Sequence, residues 1–400
     1  MTRFTNEILE YLGIDLPSEV SRRNFLKILG GGIVVTVSAN DLLALQEAPA
    51  RRRFGRALPD DFNAFLRVGE DGRVSCFTGK IEMGQGVVTS LAQMLADELE
   101  VPLESVDMVM GDTDLCPWDM GTFGSMTTRF FGPPLRAAAA EAREVLLELA
   151  AEKLDVARDQ LEVSDGMVAN VADPEQKVSY AELVEGQAIA RRLDRKAVLE
   201  SVENFTIVGR PVKRMDAVAK VTGEAKFAGD IRREGMLYAR ILRPPAHAAA
   251  LGEVDASGIE AVDGATMVVD GELVAVLHEK RHIADRALLL LKPEYSEPES
   301  TLSEDNVHEH LMSMAPEGVP VAGGGDLAEG ERLAVDIIEH TYQDAYVAHA
   351  PMEPHAALAS WEDGKMTVWA STQSPFGLKR QLVSELGLPE DKVRVLTPFV

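Results

Sequence analysis

The chain has 400 residues, 46% of them hydrophobic and 26% charged, which suffices for two or three domains and a sizeable core. Its 65 acidic residues against 40 basic ones leave a net charge of −25, which repels polyanions and argues against nucleic acid or an anionic lipid surface as a partner. The two cysteines, Cys76 and Cys116, belong to no CxxC or Cys/His cluster, so the chain carries no iron–sulfur cluster or structural zinc of the usual spacing. Buried thiols suit both positions better than a disulfide, which an oxidising compartment would still permit.

Near the start, Ser21-Arg22-Arg23-Asn24-Phe25-Leu26-Lys27 reads as a twin-arginine export signature. The apolar run 28–37 and the small residues Ala48-Pro49-Ala50 follow it. The run is shorter than the roughly 20 residues a membrane-spanning helix needs. Residues 1–50 are therefore expected to stand outside the fold as signal and linker, either cleaved after Ala50 or kept as an inner-membrane anchor. The plainer alternative, an arginine pair before a short buried helix, does not explain why the pair, the Phe-Leu-Lys and the apolar run occur together. The twin-arginine route carries proteins already folded, often around a cofactor, so a periplasmic protein holding such a group is expected.

Residues 72–112 then predict one compact unit. Val74, Cys76 and Thr78 alternate as in a strand. Gly84-Gln85-Gly86 breaks the pattern with two glycines, letting the backbone turn tightly or approach a ligand. Leu91, Leu95, Ala96 and Leu99 have helical spacing, Pro102 ends the helix, and Val106, Met108 and Met110 read as a second strand. The same strand, loop, helix and strand recur over residues 363–398. Aligned on Pro102 and Pro389, Leu91, Leu95 and Leu99 fall on Leu378, Leu382 and Leu386, and Val106 on Val393, without a gap. A duplication is the favoured explanation, and it would allow both loops to point into one cleft.

Between these units the chain is varied. Gly121-Thr122-Phe123-Gly124-Ser125-Met126-Thr127-Thr128 is a glycine-spaced loop rich in hydroxyls, suited to binding a phosphate or heterocycle through N–H groups. It leads into an alanine-rich helix predicted over 135–154. Residues 163–168 read as a hairpin, and 187–204 as a charged helical connector. Residues 205–300 read as a second α+β domain with strands at 235–241 and 274–277 and a helix at 283–291. The acidic stretch 301–330 reads as a linker, and 331–400 as the start of a further segment. His278-Glu279-Lys280-Arg281-His282 satisfies the zinc-peptidase HExxH string, which makes a zinc hydrolase an alternative. The first histidine follows a predicted strand directly, so the two imidazoles need not share a helix face. His349 and His355 frame a Pro-Met-Glu-Pro turn.

Taken together, Glu82-Met83-Gly84-Gln85-Gly86 with Thr89, Asp112-Thr113, Gly121-Thr122 and Gly124-Ser125 resemble the cofactor-binding half of the molybdenum hydroxylases, the xanthine oxidase and aldehyde oxidase family. Residues 208–237 resemble the family's hammerhead domain. Pro351-Met352-Glu353-Pro354 and Ser371-Thr372-Gln373 resemble the start of its other cofactor-binding part. The order of parts, behind a twin-arginine signal, is most similar to the isoquinoline 1-oxidoreductase β-subunit branch. The fold class so implied is α+β, a molybdopterin-binding domain of strand-loop-helix-strand units with an inserted α/β hammerhead domain.

The resemblance implies that Gly84, Gln85, Gly86, Thr122, Gly124 and Ser125, with Gln373 as a weaker candidate, lie near a molybdopterin cytosine dinucleotide. It implies hydroxylation of an aldehyde or N-heterocycle by water. Electrons would pass to a small [2Fe-2S] subunit and onward to an acceptor such as a cytochrome c. The family's catalytic glutamate lies beyond Val400, and Val347 stands where the family has a glutamine near the metal. The chain is therefore expected to be an N-terminal portion of a longer protein, or a truncated noncatalytic domain of the same family.

Overall fold

The computed structural model describes residues 32–37, 64–186, 188–192, 198–296, 301–319, 323–352 and 354–400. The arginine pair and Ala50 lie outside the described residues. The chain divides into two compact units, Met1–Ile231 with Pro351–Val400, and Arg232–Ala350.

The first unit begins with β1 (Gly32–Val37), β2 (Ala64–Val68), β3 (Val74–Thr78), α1 (Val87–Leu99) and β4 (Val106–Met110). A single wide turn at Thr127–Phe131 leads into α2 (Gly132–Leu154). The strands β5 (Leu161–Ser164), β6 (Met167–Asn170) and β7 (Asp173–Ser179), the short α3 (Tyr180–Val184), β8 (Ala188–Arg192) and α4 (Ala217–Thr222) follow. One five-stranded sheet runs β4-β3-β2-β1-β8, and β5-β6-β7 form a separate meander.

The helical pattern of α1 buries Leu91, Leu95 and Leu99 completely. Each such side chain contributes about 1.5–3 kcal/mol of burial. The left-handed Glu100 then ends the helix, its N–H returning to the carbonyls of Ala96 and Asp97. The small side chains Ala138, Ala139 and Ala142 let α2 lie close on α1 and the sheet. Asp97 holds the chain beyond β8 against α1, its carboxylate accepting the N–H groups of Thr206, Ile207 and Val208 at 2.6–3.0 Å. Residues 206–231, read above as the start of the second domain, thus lie in the first unit.

Two expectations meet a different structure here. Gly32–Val37, within the stretch expected to stand outside the fold, is a strand lying antiparallel to β2 and parallel to β8. Ile33, Val34, Val35, Thr36 and Val37 are β-branched, a composition that suits a ladder better than a helix. Ala188–Arg192 is likewise a strand rather than part of a helical connector, because β1 supplies its partner.

The second unit contains β9 (Tyr238–Ile241), β10 (Ala250–Asp255), β11 (Thr266–Asp270), β12 (Leu273–His278), α5 (Arg281–Leu288) and β13 (Lys292–Ser296). Its sheet runs β11-β12-β9, with β10 and β13 paired separately. Ile259, Val274, Val276, Ala287 and Leu291 form its core. Two short helices, α6 (Val307–Met314) and α7 (Leu327–Leu333), occupy the acidic stretch expected to be a linker, and neither buries a residue.

The chain returns to the first unit with β14 (Ala357–Glu362), β15 (Lys365–Ala370), α8 (Pro375–Leu386) and β16 (Val393–Leu396). Here the duplication is visible. β2 and β3 pair antiparallel and β3 and β4 parallel, and β14, β15 and β16 repeat both relations. The 3-10 turn Leu103–Ser105 falls on Glu390–Lys392 in the register already set by the two prolines. The repeats join at the ends of their last strands. Thr113 donates its N–H to Val395 O at 3.0 Å, and Thr397 donates to Gly111 O at 2.9 Å. Arg394 grips the buried Asp112 through Nε at 3.1 Å and Nη2 at 2.5 Å.

Candidate functional site

Three loops at one end of these strands are knitted together: residues 79–86 after β3, 117–126 before α2, and 371–374 before α8. They meet so closely at Gly79 that a Cβ there would lie 2.4 Å from Asp119 Cβ and 2.8 Å from the Phe376 ring. Lys80, 1% exposed, donates from Nζ to Asp119 Oδ1 at 2.9 Å and to Gly121 O at 2.6 Å. Asp119 is fully buried, and its second oxygen, Oδ2, has no partner among the described residues. Burial pushes the Asp119 carboxyl above its ordinary range, against the pull of Lys80. Thr122 Oγ1 accepts from Ile81 N at 3.0 Å, and Thr122 N donates to Gln373 O at 2.9 Å. Ser374 Oγ donates to Met120 O at 3.1 Å, and Gln373 Nε2 approaches Met83 Sδ at 3.4 Å.

The glycine loop is braced from within. Gly84 and Gly86 both adopt positive φ, and their N–H groups donate to Glu82 Oε1 at 2.8 and 3.0 Å. Val88 N, in the first turn of α1, donates to Glu82 Oε2 at 3.1 Å. Arg214 pairs with the same carboxylate at 3.1 Å, donates to Gly84 O at 2.9 Å, and is itself held by Asp216. That pairing, against some burial, holds the Asp216 carboxyl down to about 2. Gln85 folds back on its own loop, accepting from Met83 N at 2.7 Å and donating to Ile81 O at 3.0 Å.

The second loop is open by contrast. Phe123, Gly124 and Ser125 are exposed, Ser125 is left-handed with φ 54°, and the exposed Thr128 and Arg129 follow in the wide turn that starts α2. Arg129 stacks over the Phe130 ring at 5.0 Å. This segment presents a hydroxyl-rich, donor-rich surface at a helix N-terminus, where an anion is stabilised.

The structure therefore brings the predicted residues of all three loops to one place but divides their roles. Gly84, Gln85, Gly124, Ser125 and Gln373 are exposed, whereas Thr122 is buried and acts as a strut between loops. The backbone donors of Gly84 and Gly86, read from the sequence as ligand contacts, are already engaged by Glu82. Sequence reasoning missed Lys80, Asp119 and Arg214 entirely. Only Glu82, an acid two residues before a glycine at a helix start, carried a local signal.

The zinc alternative is not supported by the geometry. His278 ends β12 and α5 starts at Arg281, so the string straddles a turn. His278 Nδ1 accepts from Lys280 N at 2.8 Å and Nε2 lies 3.1 Å from Asp263 O, so both ring nitrogens face the backbone. Among the described residues, no group of three or more metal-ligating side chains gathers. Cys76 and Cys116 are free and buried, and burial raises both thiols, Cys76 to about 12. No helix among the described residues is long and apolar enough to cross a membrane.

Comparison with known proteins identifies the family. Residues 17–222 and 309–400 each match the family description of a molybdopterin cofactor-binding domain. A nicotinate dehydrogenase subunit of Pseudomonas putida is 32% identical over 83% of this chain and 29% of its own length. The β-subunit of isoquinoline 1-oxidoreductase from Brevundimonas diminuta is 25% identical over 95% of this chain and 55% of its own. The chain thus spans about a third to a half of these relatives. Among solved structures, quinoline 2-oxidoreductase of Pseudomonas putida 86 aligns with 48% of this chain and 30% of its own, at 21% identity and a TM-score of 0.38. By the match of its cofactor-binding domains over more than half its length, the chain belongs to the molybdenum hydroxylase family.

Proposed function

We propose that this chain contributes the cofactor-binding loops of the large subunit of an exported molybdenum hydroxylase that oxidises an aldehyde or an N-heterocycle with water as oxygen source. The carrying observation is the convergence of residues 79–86, 117–126 and 371–374 in a chain whose family binds molybdopterin. The names of the relatives, which point to nicotinate and isoquinoline, support the heterocycle class.

The donor set fits the group. A Cβ at Gly84 would meet nothing within 4 Å, so the outer face of the glycine loop is open. Gln85 and Gln373 border it, and the backbone donors and hydroxyls of Gly124, Ser125 and Thr128 suit an anionic, hydrogen-bonding ligand. In this reading Ser125, Thr128 and Arg129 take the phosphate-bearing end, while the glycine loop supplies shape. When bound, the molybdenum cofactor supplies the oxygen transfer and accepts two electrons from the substrate. This chain's residues bind it, orient it and keep its loops from collapsing. The cytosine dinucleotide form, a small [2Fe-2S] subunit and a cytochrome c acceptor complete the proposal. So do a hammerhead identity for the second unit and a periplasmic location reached by the twin-arginine route, which the Arg22-Arg23 motif supports.

The test is metal analysis of the full-length protein purified from a host that makes the cofactor, with pterin fluorescence read after oxidation. About one molybdenum and one pterin per chain are expected. Protein free of both, or holding zinc that is lost in His278→Ala, refutes the proposal.

A further inference from the structure

We propose that Glu82 is a positioning residue, an internal anion that holds the glycine loop in its cofactor-ready shape, with Arg214 as its counter-ion. This rests on the proposed cofactor function. Glycine loops before helices ordinarily offer their N–H groups to a ligand's phosphate. In this protein a carboxylate of the chain itself fills that position. It accepts from Gly84, Gly86 and Val88 at 2.8–3.1 Å while only 6% exposed.

A buried carboxylate is tolerated when it is paired and hydrogen-bonded, and Arg214 meets the first need. It comes from residues 206–216, far along the chain, and clamps the loop twice, through Glu82 Oε1 and Gly84 O. Met215 N donates to Thr89 Oγ1 at 3.0 Å, so the same segment is fixed to α1 beside the loop. Asp216 orients Arg214 through Nε at 2.9 Å and Nη2 at 2.7 Å. Lys220 joins Asp216 at 2.6 Å and completes the chain of charges.

The arrangement has a functional consequence. A glycine pair at positive φ is costly to order, and a loop that waited for its ligand would bear that cost at binding. With Glu82 in place the loop is ordered beforehand. Its inward donors are satisfied, and only its outer face and Gln85 meet the ligand. Cofactor retention then depends on Glu82 and Arg214 although neither touches the cofactor.

Amide hydrogen exchange on the full-length protein from a host unable to make the pterin judges the loop directly. Glu82→Gln removes the charge that the three N–H groups share. It should speed exchange at Gly84, Gly86 and Val88 by about tenfold or more, leaving residues 91–99 unchanged. Arg214→Gln, at a half-exposed side chain, should speed the same three amides by about threefold. In the loaded protein, pterin per chain should fall at least about threefold in Glu82→Gln, with the melting midpoint lowered by only the few degrees that an about tenfold change implies. Unchanged exchange at the three amides overturns the proposal, as does faster exchange along all of α1. If wild-type protein holds no pterin, the cofactor function fails on its own, and the exchange result still decides the role of Glu82.

Discussion

Replacing Lys80 by methionine isolates a fully buried ion pair between two of the loops. Methionine keeps most of the side-chain stem, so the cavity is small, but Asp119 loses its lysine partner and Gly121 O loses a donor. Both side chains are at most 1% exposed. Breaking such a buried pair costs about 3–5 kcal/mol, because the remaining charge is left uncompensated in a dry site. The Asp119 carboxyl is already raised by burial, and losing Lys80 raises it further. In the variant the folded state therefore binds a proton more tightly than the unfolded state, so the cost shrinks as pH falls from neutral toward the unfolded carboxylate value of about 4. Adding Asp119→Asn removes the charge and should restore more than half of the loss. The three tryptophans, Trp118, Trp361 and Trp369, all lie in the first unit, so urea unfolding followed by their fluorescence reports that unit. A cost of Lys80→Met below about 1 kcal/mol, a cost independent of pH, or a double variant no more stable than the single would each refute this account.

Other outcomes follow from the same geometry. Arg394→Met strands the buried Asp112 where the two repeats join, and should cost about 2–4 kcal/mol in the same unfolding assay. Because pairing depresses the Asp216 carboxyl to about 2, its contribution is present above the unfolded value near 4 and lost as pH falls through 2; acid titration should separate wild type from Asp216→Asn above pH 4 and merge them below 2. His278→Ala should leave metal and pterin content unchanged and cost the second unit about 1 kcal/mol, the worth of its two backbone contacts. Removing residues 1–50 takes β1 from between β2 and β8, so slower-exchanging amides of β2 should become fast; unchanged protection there would show the ladder to be dispensable.

Much of the fold was legible because its signals are local and periodic. The leucines of α1 and α8, the proline after each and the valine four residues beyond it gave the duplication, since burial on one helix face leaves a repeat that survives in sequence, and the shared 3-10 turn was added by the structure. The strand Ala188–Arg192 was read as a helix because its charged residues carry no alternation, and its partner lies more than 150 residues away. The helices α6 and α7 were missed because neither buries a face, so no apolar stripe marks them.

For the site, the sequence by itself singled out the loops proposed to hold the cofactor. Each glycine- and hydroxyl-rich loop is a weak signal alone, and it is their combination that resembles the family. Only the tertiary structure decided which atoms remain free for a ligand. Glu82 consumes the glycine-loop donors, Thr122 becomes a strut, and Ser125 stays open. That division depends on Arg214 and Lys80 reaching residues 132 and 39 positions away. A carboxylate's partners are set by distance in space, and no local pattern of residues records it.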